Sequence, residues 1–517
     1  MTLLAFILYF TLILGVGLFF FFRSSGAGEK DYFLGGRSMG PWVTAMSAQA
    51  SDMSGWLLMG FPGSIIAFGM GKVWIGIGLA LGTAANWIFT AKRLRRFSRA
   101  AGDSITLPQY LTNRFASKSP VLKIICAVIF LISFTIYVSS AFVAGKNVMC
   151  AVIPWFADKQ MLAMGVFALL ILIYTFLGGY KAVCWTDFFQ GLMMLIALLA
   201  VPIIMWFGKS DAGFLGSFIA ANGEQIAAFG TNPFTADWRE IVTGLSWGLG
   251  YFGMPHIIVR FMAIEKPSMI KKSATVAIIW VILTLGAAIA IAILGRAFIL
   301  PNGKALAVTL LPDHGQDIFI TIVQALFPAF IAGLLLAAIV AAAMSTADSQ
   351  LLVASSSFAS DLYQPIIRKN KASDKEMLWV GRIVVVIVAI VAFFIAAAGI
   401  NDPKSWTNSI MSMVENAWGL FGASFGPVVI LSLFWKRFNY PGAVAGILVG
   451  AIVDIAWLLL FTNTIMPAAV VATGIYEILP GFVAGLIAAV AVTLATKAPS
   501  EEVAAIVASA TDPNLDD

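Results

Sequence analysis

Ser47-Ala48-Gln49-Ala50-Ser51-Asp52-Met53-Ser54-Gly55-Trp56 sets hydroxyls, an amide and a carboxylate in the middle of an apolar stretch running from residue 43 to 68. A carboxylate in hydrocarbon is costly, so Asp52 must face protein or a water-filled path. Two readings fit. Asp52 is a buried group that ties helices together by hydrogen bonds, or the helix unwinds near Ala50 to Met53 and its freed carbonyls coordinate a cation.

The rest of the chain supplies the bilayer that this reading needs. Of 517 residues, 60% are apolar and 11% charged, and the mean hydropathy is +0.93. A water-soluble chain of this length carries far more surface charge. Apolar runs of about 20 residues recur, the length that crosses roughly 30 Å of hydrocarbon. They are rich in glycine and alanine, which suits close helix packing in lipid. Cys126, Cys150 and Cys184 form neither a disulfide framework nor a zinc pattern and read as buried thiols. The opening stretch, Thr2 to Phe22, lacks a basic start and a small-residue cleavage site, so it reads as a first spanning helix and not a signal peptide.

Thirteen spans are expected: 3–22, 43–68, 73–92, 121–150, 160–178, 187–207, 240–261, 273–296, 317–350, 377–399, 406–434, 440–462 and 478–496. The ninth is too long for one simple crossing, and Pro328 marks the change. With the N-terminus outside and the C-terminus cytoplasmic, 24 of the 32 basic residues fall on the cytoplasmic side, as the positive-inside rule requires. The densest cluster is Lys92, Arg93, Arg95, Arg96 and Arg99. It hugs a membrane exit with no folded domain around it, so anionic lipid and not nucleic acid is its expected partner. No segment between spans is long enough for an enzyme.

A second apolar stretch is broken as well. Ser246-Trp247-Gly248-Leu249-Gly250-Tyr251-Phe252-Gly253-Met254-Pro255-His256 packs three glycines and a proline where a helix cannot stay regular. Trp247 and Tyr251 share a face if the turn between them is helical. They either pack structurally or wall an amphipathic solute. The breaks lie in the second and seventh spans, five apart. Since five is odd, spans 7–11 would run inverted relative to spans 2–6, the arrangement in which discontinuous helices face each other and one bundle rocks against another. A third cluster, Ala342-Ala343-Met344-Ser345-Thr346-Ala347-Asp348-Ser349, offers neutral hydroxyl oxygens beside a carboxylate, ligands suited to a monovalent cation more than to calcium. Such hydroxyls also bond back to the preceding turn.

These stretches together resemble the sodium/solute symporter family, and its proline branch in particular. The likeness also takes in Gly178-Gly179-Tyr180-Lys181-Ala182-Val183-Cys184-Trp185-Thr186-Asp187 and Ala417-Trp418-Gly419-Leu420-Phe421-Gly422, ending near Trp435-Lys436-Arg437. The resemblance implies an all-α polytopic membrane protein with an inverted five-plus-five, LeuT-like helix core. Its divisions would be a first helix and loop (1–42), a first half (43–207), an outer loop (208–239), a second half (240–434), two added helices (435–498) and a cytoplasmic tail (499–517). It implies no cofactor and sodium as the coupling ion. The ion ligands would be the Ala50, Met53 and Ala342 carbonyls and the Ser345 and Thr346 hydroxyls, supported by Asp52. Tyr137, Trp247, Tyr251 and Pro255 would line the site of the solute, L-proline, and Arg37 and Asp187 would serve gating. Met254 stands where glutamine is common in the proline branch.

The expected function is therefore sodium-driven uptake across the cytoplasmic membrane. Pantothenate, a monocarboxylate or a sugar is the alternative solute, and a proton the alternative ion. An ion channel would show repeated polar rings. With only His256 and His314 and no metal-ligand cluster, an intramembrane enzyme is not supported.

Overall fold

The structure, a computed structural model, describes residues 1–23, 29–177, 179–207, 232–296, 315–402, 405–465 and 468–512. Its regular elements among these residues are helices, the form in which a chain satisfies its own backbone hydrogen bonds in lipid. The first group is α1 (Thr2–Arg23), α2 (Glu29–Leu34), α3 (Pro41–Asp52), α4 (Phe61–Phe68), α5 (Val73–Ala85), α6 (Lys92–Ala100) and α7 (Leu107–Arg114). Then come α8 (Val121–Val152), α9 (Gln160–Leu177), α10 (Tyr180–Phe207), α11 (Trp238–Ser246), α12 (Pro255–Ala263), α13 (Ile270–Arg296) and α14 (Ile318–Leu326). The chain continues through α15 (Ala329–Ser356), α16 (Asp374–Ala398), α17 (Ile410–Phe434), α18 (Tyr440–Phe461), α19 (Ile478–Ala495) and α20 (Glu501–Thr511).

Ten helical segments among the described residues are long and apolar enough to cross a bilayer. The other three expected spans are present as shorter pieces. The stretch 43–68 divides into α3 and the apolar helix Trp56–Phe68, 160–178 holds only the 18-residue α9, and 240–261 divides into α11 and α12. Pro328 does separate α14 from α15, but α15 runs past the expected end at 350 and continues through a wider-wound stretch, Ser357–Ile367. Most of the expected outer segment 208–239, and His314, lie outside the described residues.

α3 lies at the centre, packed on α10, α12, α13 and α15. α15 is buried from Leu335 to Ser356 without interruption. That explains its composition, since only small and apolar side chains fit a helix covered on every face. α18 and α19 form a hairpin against α17.

Candidate functional site

Both expected breaks are present, and their local chemistry differs. α3 starts on Pro41, whose missing amide costs nothing at a helix start. It stays helical through Asp52, so the unwinding lies later than expected, at Met53 and Ser54, and Ala50 is still on the helix. Met53 takes φ −84°, ψ 80°, and the Ser54 amide turns to the Asp52 carbonyl at 3.0 Å. In a continued helix that amide would have closed onto Ala50. The Ala50 carbonyl instead accepts from the Ser345 hydroxyl at 2.8 Å and the Thr346 hydroxyl at 3.4 Å. Ser345 also reaches the Ala342 carbonyl at 3.2 Å. Four of the five expected ion ligands are thus joined by hydrogen bonds. Met53 is linked to them by its place at the break, its amide donating to Gln49.

Asp52 sits between this oxygen cluster and the second break. It is fully buried. Its Oδ2 accepts from the Tyr251 hydroxyl at 2.6 Å, while Oδ1 accepts no hydrogen bond from the described residues. Its backbone carbonyl takes three donors: Tyr137 Oη at 3.2 Å, Trp56 Nε1 at 3.1 Å and the Ser54 amide. The free Oδ1 fits a nearby cation, because a buried carboxylate with one neutral partner is poorly compensated. Carbonyls, hydroxyls and one carboxylate oxygen form the hard, weakly charged ligand set that sodium takes.

The second break begins with a tightly wound turn, Trp247–Phe252, and ends at Met254, extended at φ −77°, ψ 107°, before Pro255 opens α12. Glycines let this turn press against its neighbours. A methyl group on Gly248 would overlap the Gly78 carbonyl of α5, and one on Gly250 would overlap the Trp418 indole nitrogen. That indole donates to the Trp247 carbonyl at 2.8 Å, and Asn86 donates to the Tyr251 carbonyl at 2.9 Å. The Tyr251 ring meets Trp418 edge-on at 5.0 Å, while Trp247 lies against Tyr476 at 5.0 Å. His256, buried beside Pro255, has Phe134 and Tyr137 as ring neighbours at 5.7 and 6.2 Å. Of the expected wall residues, Tyr137 and Tyr251 meet at Asp52, Trp247 and Tyr251 both contact Trp418, and Pro255 opens α12 beside them. A cavity of about 450 Å³ is lined by Trp247 together with Lys72, Gln316, Trp406 and Glu415.

The two expected gating residues make different sets of contacts. Arg37 pairs with Asp103 at 2.8 Å, donates to the Ser104 carbonyl at 2.8 Å and to Ser98 at 3.2 Å, and also bonds the Met262 carbonyl. It thereby clips the α2–α3 connection to α6, to the α6–α7 turn and to the end of α12. Burial pushes the guanidinium pKa below its ordinary value, and Asp103 opposes that shift. Asp187 is fully buried on α10, where it accepts from Ser47 at 2.7 Å and from Arg260 at 3.2 Å. Arg260 also bonds Ser47, Ser349 and the His256 carbonyl, so one side chain of α12 ties α3, α10 and α15 together.

Sequence reasoning passed over Arg260, Trp418 and Tyr476. Arg260 carried a readable signal, a lone charge inside an apolar segment, and Trp418 lay in a stretch already singled out. Tyr476, just before α19, carried none.

The sequence pattern of the sodium:solute symporter family matches residues 32–450. The chain is 41% identical to the high-affinity proline transporter PutP of Bacillus subtilis (strain 168), over 94% of this chain and 97% of that one. It is 42% identical to sodium/proline symporter 2 of Staphylococcus saprophyticus, over 95% of this chain and 92% of the relative. Its fold is similar to that of a sodium-coupled sialic acid symporter solved in a substrate-bound outward-open state. The TM-score there is 0.73 at 21% identity, over 96% of this chain and 98% of the other.

Proposed function

The chain belongs to the sodium:solute symporter family, and on that premise we propose that the solute it carries with sodium is L-proline. It is a multi-pass, all-α membrane protein and a secondary transporter, working by alternating access with sodium as its coupling ion. Proline follows from relatives of about 41–42% identity whose names specify it. The chemistry of the second break agrees, because proline presents an apolar ring with a carboxylate and an ammonium at one end. Aromatic walls suit the ring, and the backbone ends at a helix break suit the charged groups.

One observation carries this reading. The carbonyl freed at the first break and the aromatic wall of the second meet through Asp52, whose backbone and carboxylate are held by Tyr137 and Tyr251. In the proposed arrangement Ala50, Met53, Ala342, Ser345 and Thr346 hold sodium, and Asp52 supports it. Ordering the first break around the ion fixes Asp52 and, through Tyr251, the wall that receives the solute, so each favours the other. A sodium ion moving inward through 100 mV gains about 2.3 kcal/mol. A tenfold gradient adds about 1.4 kcal/mol, so accumulation of roughly 500-fold is possible.

The proposal extends to topology: thirteen spans in the inner membrane, N-terminus outside, C-terminus cytoplasmic, spans 2–6 and 7–11 being the inverted halves. Arg37 and Asp187, the latter through Arg260, would hold the cytoplasmic path shut until the ion leaves.

Labelled-proline uptake into proteoliposomes, with sodium, lithium and proton gradients imposed separately, tests it. Sodium alone, or sodium well above lithium, should drive accumulation. Uptake of pantothenate or lactate in place of proline would overturn the solute while leaving the family's mechanism intact.

A further inference from the structure

Behind the wall of the second break, the α18–α19 hairpin carries two carboxylates that the sodium and solute sites leave unused. Asp454 of α18 and Glu477, the residue before α19, are both buried, at 1% and 2% exposure. They face α17 at Gly419, where a methyl group would meet Asp454 Oδ1 at 3.1 Å and Glu477 Oε1 at 3.4 Å. The two oxygens share one small space, which the missing side chain of Gly419 leaves open. Neither accepts a hydrogen bond from another described residue, and the charged groups that act on Glu477 are Asp454 and Glu415, both acidic. A third group is orphaned beside them. Asn416 lies one turn before Gly419 on that side of α17, is 5% exposed, and has a partner for neither end of its amide among the described residues.

Two carboxylates buried together with no basic partner are poorly compensated, and positive charge has to balance them. A hard cation takes carboxylate and amide oxygens together, so it satisfies all three orphaned groups at once. Two acidic ligands select a divalent ion over a monovalent one. Calcium accepts an irregular set of oxygens, whereas magnesium demands a near-ideal octahedron and gives up its waters reluctantly. The ion has a route in. Glu415, the neighbour of Asn416 in the chain, lines the 450 Å³ cavity together with Asn463 and Thr464, which follow α18.

We propose that Asp454, Glu477 and the Asn416 amide oxygen hold a calcium ion that fastens the α18–α19 hairpin to α17. Glu477 adjoins Tyr476, whose ring lies against Trp247 at 5.0 Å, so the ion also steadies the back of the solute wall. Two anionic ligands place the site in the weak class, with a dissociation constant of about 0.1–1 mM. That range suits the outer face, where the proposed topology puts the loop between α18 and α19. The site shares no residue with the sodium ligands, and it stands whichever solute is carried.

The test uses terbium chloride, a calcium probe that emits when an aromatic ring close to it is excited. The purified full chain should give a saturable emission, fed by Tyr476 and its neighbouring tryptophans. Calcium should displace it at about 0.1–1 mM, and excess sodium should not. D454N and E477Q each remove one of the two anionic ligands and should raise the calcium needed for half-displacement by at least about tenfold. G419A keeps both charges but puts a methyl group into their shared space, so it should weaken calcium as well. Calcium should also raise the unfolding temperature of the wild type and not that of E477Q. The wild-type titration keeps the test decisive if a variant fails to fold. If the wild type shows no calcium-displaceable emission, the two acids hold only protons or water and the proposal fails. Unchanged displacement in all three variants would place the metal elsewhere, on the acidic C-terminal tail for instance, and would overturn it as well.

Discussion

The two helix breaks do opposite things with the same disruption. At the first, two residues leave the helix and a carbonyl behind them loses its backbone donor, so hydroxyls from α15 gather around it. At the second, the turn before the break stays wound and buries itself in aromatic rings, and its carbonyls are taken by Trp418 and Asn86. One break offers oxygen and the other offers surface. A protein that binds an ion beside an amphipathic solute needs both, and the Asp52–Tyr251 hydrogen bond is where they touch. The comparison makes a division of labour testable: changes at the first break should alter sodium dependence, changes at the second should alter solute dependence, and only Asp52 should alter both.

Asp52→Asn should have the largest effect. It keeps the shape and leaves Tyr251 an acceptor but removes the charge. Breaking a buried charge arrangement is worth several kcal/mol, so sodium-driven uptake should fall by roughly 100-fold or more, with normal membrane insertion. Uptake at the wild-type rate in low sodium would reduce Asp52 to a structural tie and dissolve the link between the breaks. Replacing Ser345 and Thr346 together by Ala removes two oxygen ligands. The sodium concentration for half-maximal uptake should then rise by about tenfold or more, equivalent to 1.4 kcal/mol. Unchanged sodium dependence in the purified double variant would remove the ion from the first break.

How much of this was legible in the sequence depended on how local the cause was. Both breaks were readable because Gly, Pro and polar residues inside an apolar run have no other use at membrane depth. The exact position of the first was not: helical geometry persists through Ala50 and Asp52, and the chain turns only at Met53 and Ser54. Ser345 and Thr346 were readable as a pair, but that both would point at the Ala50 carbonyl is a matter of how α15 crosses α3. Asp187 was visible and its partner was not named, although Arg260 was the one charge in α12. Tyr476 lies 229 positions from Trp247 in the chain, and no local pattern can report so distant a ring contact.

The wall of the second break supplies the smaller effects. Trp247→Ala should raise the half-saturating proline concentration by roughly tenfold, since it removes a buried aromatic face. Sodium binding measured without proline should move by no more than about twofold. A parallel loss of sodium affinity would mean that the breaks are one site and not two.

Tyr476 gives the last and smallest test, because it reaches the wall from outside the proposed repeat core. Its ring lies against Trp247, its hydroxyl donates to the Glu415 carbonyl at 2.6 Å, and its amide donates to the Thr243 hydroxyl of α11 at 3.2 Å. The start of α19 is thus fastened to the half-helix that leads into the second break. An aromatic pair is worth about 0.5–1.5 kcal/mol beyond the area it buries. Tyr476→Ala, which frees the Trp247 ring to tilt, should therefore raise the half-saturating proline concentration by roughly threefold. Tyr476→Phe keeps the ring and loses only the bond to Glu415, so its proline dependence should stay closer to wild type. Sodium dependence should be the same in both variants. If Phe is as damaging as Ala, the hydroxyl and not the ring is what matters, and the α18–α19 hairpin acts by anchoring α17 through Glu415. If neither substitution changes solute dependence, the wall of the second break is complete within the core, and its contact with Tyr476 is packing alone.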